Sequence, residues 1–186
     1  MRAILFTVLL LSGCCVVRAQ TNDATKKMNA EVMREMRSKM MVAPRELGLK
    51  STGEYPRVCG VLMDWPIEAG TITLVSLSTG DASIYSTGTF GVLGGIGHET
   101  VRSAAQRLVK VGEKHHDEAT LTKDYPYPKA GRVRFYLVCY DGVRTIDADL
   151  DEVRAGKHKC SDLYEQAQRV ITELRLITQR QKGEKP

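Results

Sequence analysis

The strongest constraint on the fold of this chain is a pair of apolar runs, residues 133–140 and 143–147, separated only by Asp141 and Gly142. Both runs have the length and the β-branched or aromatic content of strands. A two-residue connection of the Asp-Gly type joins neighbouring antiparallel strands, because its backbone follows their right-handed twist. The sequence therefore predicts a β-hairpin here and an antiparallel sheet around it.

Three further strands are predicted before this hairpin. Apolar or β-branched runs cover residues 58–63, 71–77 and 82–87, and turn-forming residues separate them. The first run is expected to end at residues 64–66, where the sequence reads Asp-Trp-Pro. Together with the hairpin, these runs predict about five strands in a mostly antiparallel sheet.

Two long amphipathic helices accompany the sheet. Apolar residues recur at three- and four-residue spacing over residues 98–116 and again from Ser161 onward. The order of elements predicts a two-layer α+β domain over residues 51–180, with both long helices on one face and a frayed tail at 181–186. The chain has 186 residues, of which 42% are hydrophobic and 26% charged, which suits one globular core.

The N-terminus has the layout of a secretory signal peptide over residues 1–19. A positive start is followed by an apolar run and by small residues. Two cleavage sites are compatible with this segment. Residues 11–14 (Leu-Ser-Gly-Cys) resemble the lipobox of bacterial lipoproteins, which implies acylation of Cys14 and a membrane-anchored protein. A cut before Gln20 would instead release a periplasmic protein, and both alternatives predict export.

An amphipathic helix with a methionine-rich face is predicted over residues 23–42, within a helix-and-connector segment at 20–50. Methionine makes adaptable contacts and is common on surfaces that fit several partners. Met33, Met36 and Met40 are therefore expected to dock on a partner protein or on a second copy of the chain. Copper binding by these thioethers is the less favoured interpretation, and no cofactor is predicted.

Export affects the interpretation of the cysteines. Cys59, Cys139 and Cys160 lie in the body of the chain, and two of them could pair in an oxidising compartment. Cys139 and Cys160 are the expected disulfide, because one lies in a predicted central strand and the other precedes a helix predicted to pack across that sheet. The alternative is three reduced, buried thiols.

A glycine-rich loop before the central helix is the candidate ligand site. Its glycines permit close backbone approach, and the free amide groups at a helix start attract anions. Neither a Walker A motif nor G-x-G-x-x-G fits the loop. The residues of this candidate site are Thr89, Gly91, Gly94, Gly95, Gly97, His98 and Arg102.

Two clusters of potential metal ligands are expected to be structural. Adjacent helical residues point about 100° apart, so His115 and His116 are not expected to share one ion. Asp147, Asp149 and Asp151 alternate as in a calcium loop but lack the glycine and glutamate of an EF-hand. Asp149 is expected to cap a short helix instead, and no metal site is predicted.

Charge and motifs limit the function. The net charge is +5, yet residues 51–150 hold ten basic and twelve acidic side chains, so nucleic-acid binding is not expected. No catalytic motif is recognisable. The sequence predicts an exported, envelope-attached binding or interaction module without catalytic activity, in contact with the membrane if Cys14 is acylated. The alternative is a protein or enzyme that binds a small anionic ligand at the glycine-rich loop.

Overall fold

The computed structural model describes residues 31–42, 44, 46–68, 70–87, 91–92 and 95–181. The predicted signal peptide with Cys14, the start of the predicted N-terminal helix and the tail after residue 181 lie outside these residues. Among the described helices, none combines the length and the hydropathy needed to cross a membrane.

All described strands belong to one sheet, and all their pairings are antiparallel. The strands are β1 (Val58–Ile67), β2 (Gly70–Leu77), β3 (Ala82–Ser86), β4 (Gly91–Val92), β5 (Thr120–Thr122), β6 (Arg132–Cys139) and β7 (Gly142–Asp149). Their order across the sheet is β4-β3-β2-β1-β6-β7-β5. The five predicted strands are confirmed, and two short edge strands, β4 and β5, extend the sheet on either side.

The helices lie on both faces of this sheet. They are α1 (residues 31–40), α2 (Glu99–Lys114), the short α3 (Leu150–Arg154) and α4 (Ser161–Gln181). Helices α2 and α4 pack together on one face, which confirms the predicted α+β arrangement. The core between these helices and the sheet includes Val61, Met63, Leu74, Val101, Leu108, Phe135, Leu137, Leu163, Val170 and Leu174.

Helix α1 covers part of the opposite face, which is called the second face below. Strand side chains alternate between the two faces, so β1 and β6 contribute apolar residues to both. The second-face cluster contains Cys59, Leu62, Val75, Tyr85, Tyr136, Val138 and Val143, with Met33, Met36, Met40 and Met41 packed on it. The N-terminal helix is therefore part of the folded body.

Strand β1 is longer than predicted and includes Pro66. The pairing of β1 with β6 stops at Asp64 and Arg134, whereas its pairing with β2 continues to Ile67 and Gly70. Pro66 therefore lies where β1 has a single neighbour in the described sheet. Proline is tolerated at such a position because no second ladder requires its missing N–H.

The predicted hairpin is formed by β6 and β7, but its turn lies one residue earlier than expected. Cys139 pairs with Gly142, so Tyr140 and Asp141 connect the strands. The positive φ falls on Gly142 alone, at 141°. Glycine adopts this conformation without the steric penalty that a side chain would bring.

Candidate functional site

A buried ion pair fastens α1 to the second face. Arg37 donates from Nε and Nη2 to Asp64 Oδ2 over 2.9 and 2.6 Å. Thr73 Oγ1 donates to the other carboxylate oxygen over 2.6 Å. Asp64 is fully buried and Arg37 is 5% exposed. Burying charges is costly unless they are paired and hydrogen-bonded, and this arrangement meets both conditions.

Tyrosines surround the Arg37 guanidinium. It lies 4.3 Å from the ring centre of Tyr127 and 5.2 Å from that of Tyr136, and Nη1 donates to the Tyr125 carbonyl over 2.9 Å. Burial raises the pKa of Asp64, and the hydrogen bonds and charge of Arg37 oppose that rise. These contacts join α1 to β1, to β6 and to the loop before β6.

The methionines predicted to dock on a partner lie in an intramolecular contact. Met33, Met36 and Met40 are half-buried against the second face. A docking role for them remains a prediction, and it would require α1 to leave the sheet. Sequence periodicity located the apolar face of the helix but carried no information about what covers it.

Three potential metal ligands meet where α2 ends, beside the β6–β7 turn. They are His116, Cys139 and Asp141. Each offers one ligand atom, and these three atoms lie within 4.8 Å of one another. The distance between His116 Nε2 and Asp141 Oδ1 is 4.0 Å. Cys139 and His116 are buried, and Asp141 is exposed. The sequence prediction missed this cluster, because it considered His116 only with its chain neighbours and not with residues of the hairpin.

A polar network orients His116. Its Nδ1 lies 2.8 Å from Asp117 Oδ1, and Arg57 Nη1 donates to both oxygens of Asp117 over 2.9 and 3.0 Å. The hydrogen bonds from His116 and Arg57 lower the pKa of Asp117. A carboxylate accepts hydrogen bonds, so this contact assigns a proton to Nδ1, and in the neutral ring the lone pair then lies on Nε2. Arg144 Nη2 donates to Asp141 Oδ2 over 2.9 Å, leaving Oδ1 on the side of His116.

The neighbouring His115 has different partners. Its Nε2 lies 2.7 Å from Asp162 Oδ1 of α4, and its Nδ1 lies 3.4 Å from Glu118 Oε2. The two histidines therefore contribute to separate contacts.

An apolar groove of about 250 Å³ lies between the end of α1 and strand β5. Met41, Leu121, Tyr125 and Val143 line its walls. Leu121 is 55% exposed. Strand β5 is the last strand of the described sheet and pairs only with β7 there. Its outer edge can therefore accept another strand.

The predicted glycine-rich site is only partly within the described residues. Gly91 lies in β4, and Gly95–Gly97 form a 3₁₀ turn before α2. His98 is the N-cap residue of α2 but makes no capping hydrogen bond with its side chain. Thr89 and Gly94 lie outside the described residues.

The polar groups around this turn bind one another. Arg102 Nη1 donates to the Ile96 carbonyl over 3.0 Å, and Arg102 also pairs with Glu99. Glu99 places a carboxylate in the first turn of α2. A bound anion would be repelled by that carboxylate, so this geometry does not favour the predicted anion site, which remains a prediction.

The predicted disulfide between Cys139 and Cys160 is absent from the structure. Both residues, like Cys59, are free buried thiols. Cys139 Sγ donates to the Leu137 carbonyl over 3.4 Å, whereas Cys160 Sγ lies 3.1 Å from His158 Nδ1. Burial raises the pKa of Cys139 to about 12 and that of Cys59 and Cys160 to about 11. The structure therefore has three reduced, buried thiols, which was the alternative prediction.

Asp149, at the end of β7, caps α3 as predicted. Asp149 accepts hydrogen bonds from two amide N–H groups in the first turn of α3 over 3.0 and 3.1 Å. Asp147 accepts from Arg132 Nε over 2.6 Å and from Arg134 Nη2 over 2.5 Å. Both carboxylates therefore have hydrogen-bond partners within the chain.

Comparison with known proteins finds no family model, no curated protein and no solved structure that matches this chain.

Proposed function

We propose that this chain is an exported, envelope-attached module that binds an extended apolar segment of a partner protein, without catalytic activity. The binding surface is the groove between α1 and β5. The observation that carries the proposal is the exposed Leu121 on β5, whose outer edge is unpaired in the described sheet, directly beside that groove.

Strand addition suits this surface. An extended peptide can hydrogen-bond to a free sheet edge while its alternate side chains enter neighbouring pockets. Met41, Tyr125 and Val143 provide apolar walls for such side chains. Pockets for drug-sized ligands usually occupy about 300–1,000 Å³. The smaller groove here suits one or two peptide side chains better than a small molecule.

The rim of the groove supplies charge at two positions. Lys123 and Asp141 both line it, and they carry opposite charges. Such a rim favours one direction of a bound segment over the other, because polar contacts set register and orientation more than affinity.

Attachment to the envelope follows from the predicted lipobox. If Cys14 is acylated, the residues between it and the first described helical residue, Glu31, form a tether. A fully extended chain of that length spans at most about 60 Å. The tether would keep the body close to the membrane and limit its partners to envelope proteins.

Photocrosslinking in the exporting cell tests the proposed surface. A photoreactive residue at position 121 should yield a covalent adduct with one partner protein, because the groove brings that partner into contact. The matched control is position 67, where Ile67 is 41% exposed at the far end of β1. That position should yield no adduct.

A second variant tests the mode of binding. Leu121→Lys places a charge on the edge strand, which opposes strand addition. It should abolish adducts from a photoreactive residue at position 123. Adducts of equal yield at positions 67 and 121, or none at 121, would contradict the proposal. An adduct of twice the mass of the chain would identify a second copy instead of a separate partner.

Mass spectrometry of the mature N-terminus tests the attachment separately. A diacylglyceryl adduct on Cys14 would support it. A mature chain that begins at Gln20 without lipid would contradict attachment while leaving the groove proposal intact.

A further inference from the structure

We propose that His116, Cys139 and Asp141 form a binding site for a divalent transition-metal ion, with Zn²⁺ as the best match. The site lies where the end of α2 meets the β6–β7 turn, so its ligands come from two separate elements. This inference does not depend on the proposed peptide groove.

The donor atoms suit Zn²⁺. The ion accepts thiolate sulfur, imidazole nitrogen and carboxylate oxygen in tetrahedral sites, with bonds of about 2.0–2.3 Å. Tetrahedral bonds of that length place ligand atoms roughly 3.3–3.8 Å apart. The observed separations, up to 4.8 Å, are slightly larger. Asp141 is exposed and its Oδ1 lies 4.0 Å from His116 Nε2, so this carboxylate can move toward the two buried ligands when an ion binds.

The surroundings of His116 match those of metal-bound histidines. Such histidines usually donate their second ring N–H to a carboxylate, which fixes the orientation of the ring. Asp117 lies 2.8 Å from His116 Nδ1, and two hydrogen bonds from Arg57 hold Asp117 in place. This arrangement directs Nε2 toward Asp141.

The cluster is also open to solvent. A cavity of about 220 Å³ is lined by Arg57, His116, Tyr140 and Asp141. Cys139 and Asp141 also line the groove beside β5. Asp141 therefore borders both cavities, whereas His116 borders the first and Cys139 the second. Three protein ligands leave a fourth position for water or another ligand. Binding would displace the Cys139 thiol proton to solvent, and the resulting thiolate and the Asp141 carboxylate would balance the charge of the ion.

Titration of the purified exported protein with Zn²⁺ tests this site. The protein should be reduced and free of affinity tags, because oxidised thiols and tag histidines would obscure the result. One Zn²⁺ should bind per chain. Co²⁺ should bind in its place and give a thiolate-to-metal charge-transfer absorption.

Three substitutions test the ligands. His116→Ala and Asp141→Asn should weaken Zn²⁺ binding at least tenfold, and Cys139→Ser should remove the Co²⁺ charge-transfer band. Asp117→Asn should weaken binding by about tenfold through the orientation of His116, since loss of such outer contacts costs 10–100-fold.

The matched control is His158→Ala. His158 Nδ1 lies 3.1 Å from Cys160 Sγ, so this variant removes an imidazole beside a thiol outside the proposed site. It should leave Zn²⁺ affinity and the Co²⁺ band unchanged. Circular dichroism checks the fold of each variant. If Cys139→Ser unfolds, Asp141→Asn still tests the site, because Asp141 is exposed. Absence of stoichiometric Zn²⁺ binding, or binding lost only in His158→Ala, would overturn the proposal.

Discussion

Arg37 of α1 and Asp64 of β1 form a doubly hydrogen-bonded ion pair that is almost entirely removed from solvent. The pair joins the N-terminal helix to a central strand of the sheet. The pair holds α1 on the second face of the sheet and so makes this helix part of the folded body.

Replacement of one member of this pair should be strongly destabilising. Arg37→Met leaves Asp64 as an uncompensated buried carboxylate, which costs about 3–5 kcal/mol. Urea denaturation measures the free energy of unfolding. The double variant Arg37→Met/Asp64→Leu should lose less than Arg37→Met alone, because no unpaired charge remains. Additive losses would contradict a coupled pair.

The same variant should show a characteristic pH dependence. Burial raises the pKa of Asp64 in the folded protein, and removal of Arg37 raises it further. A carboxyl group whose pKa is higher in the folded than in the unfolded state binds protons more readily when folded. The free energy of unfolding therefore falls as pH rises through the folded-state pKa. The penalty of Arg37→Met should therefore shrink as pH falls. A penalty that is constant or grows at low pH would contradict this expectation.

The methionine contacts of α1 provide a second test. Changing Met33, Met36 and Met40 together to Lys should detach α1 from the sheet and lower the free energy of unfolding. Full burial of one Met side chain contributes about 1.5–3 kcal/mol, and these half-buried residues contribute part of that. Urea denaturation measures the loss, and Val32→Lys, at an exposed position of α1, is the control.

Size-exclusion chromatography of the same variants separates two roles of these methionines. An unchanged mass with lower stability indicates an intramolecular contact only. A mass that falls to that of a monomer would instead support docking on a second copy.

The cysteines should react slowly in the native protein. Burial hides the three thiols and raises their pKa to about 11 or 12, so few thiolates exist at neutral pH. Native labelling by iodoacetamide should therefore be slow and should accelerate about tenfold per pH unit below those pKa values, as the thiolate fraction rises. Mass spectrometry after unfolding without reductant should show all three thiols labelled. Two cysteines that stay unlabelled would instead indicate a disulfide between them.

Gly112 of α2 allows the helix to approach β1 closely. A Cβ atom there would lie 2.7 Å from Val61 Cγ2. Gly112→Ala should therefore destabilise the fold by about 1–3 kcal/mol through overpacking, although alanine favours helix by about 1 kcal/mol. Urea denaturation checks the sign. Gly97→Ala, where a Cβ atom meets open space, should change stability by less than about 0.5 kcal/mol.

Local sequence patterns located most elements of this fold. The runs flanking Asp141 and Gly142 predicted β6 and β7, and three- and four-residue spacing predicted α2 and α4. The two-residue and three-residue edge strands were missed, because segments this short carry no periodicity. The extension of β1 through Pro66 was missed, because a proline is tolerated in this strand only where β6 no longer pairs with it.

The sequence by itself determined which segments are strands and helices and which of their faces are apolar, because these properties depend on residues a few positions apart. Tertiary structure alone decided what covers each face and which distant side chains meet. It placed the methionine face on the sheet, Arg37 on Asp64, and Cys139 and Asp141 beside His116. It also kept Cys139 and Cys160 unpaired. Contacts of this kind arise when separate elements pack, and the spacing of residues along the chain does not encode those distances.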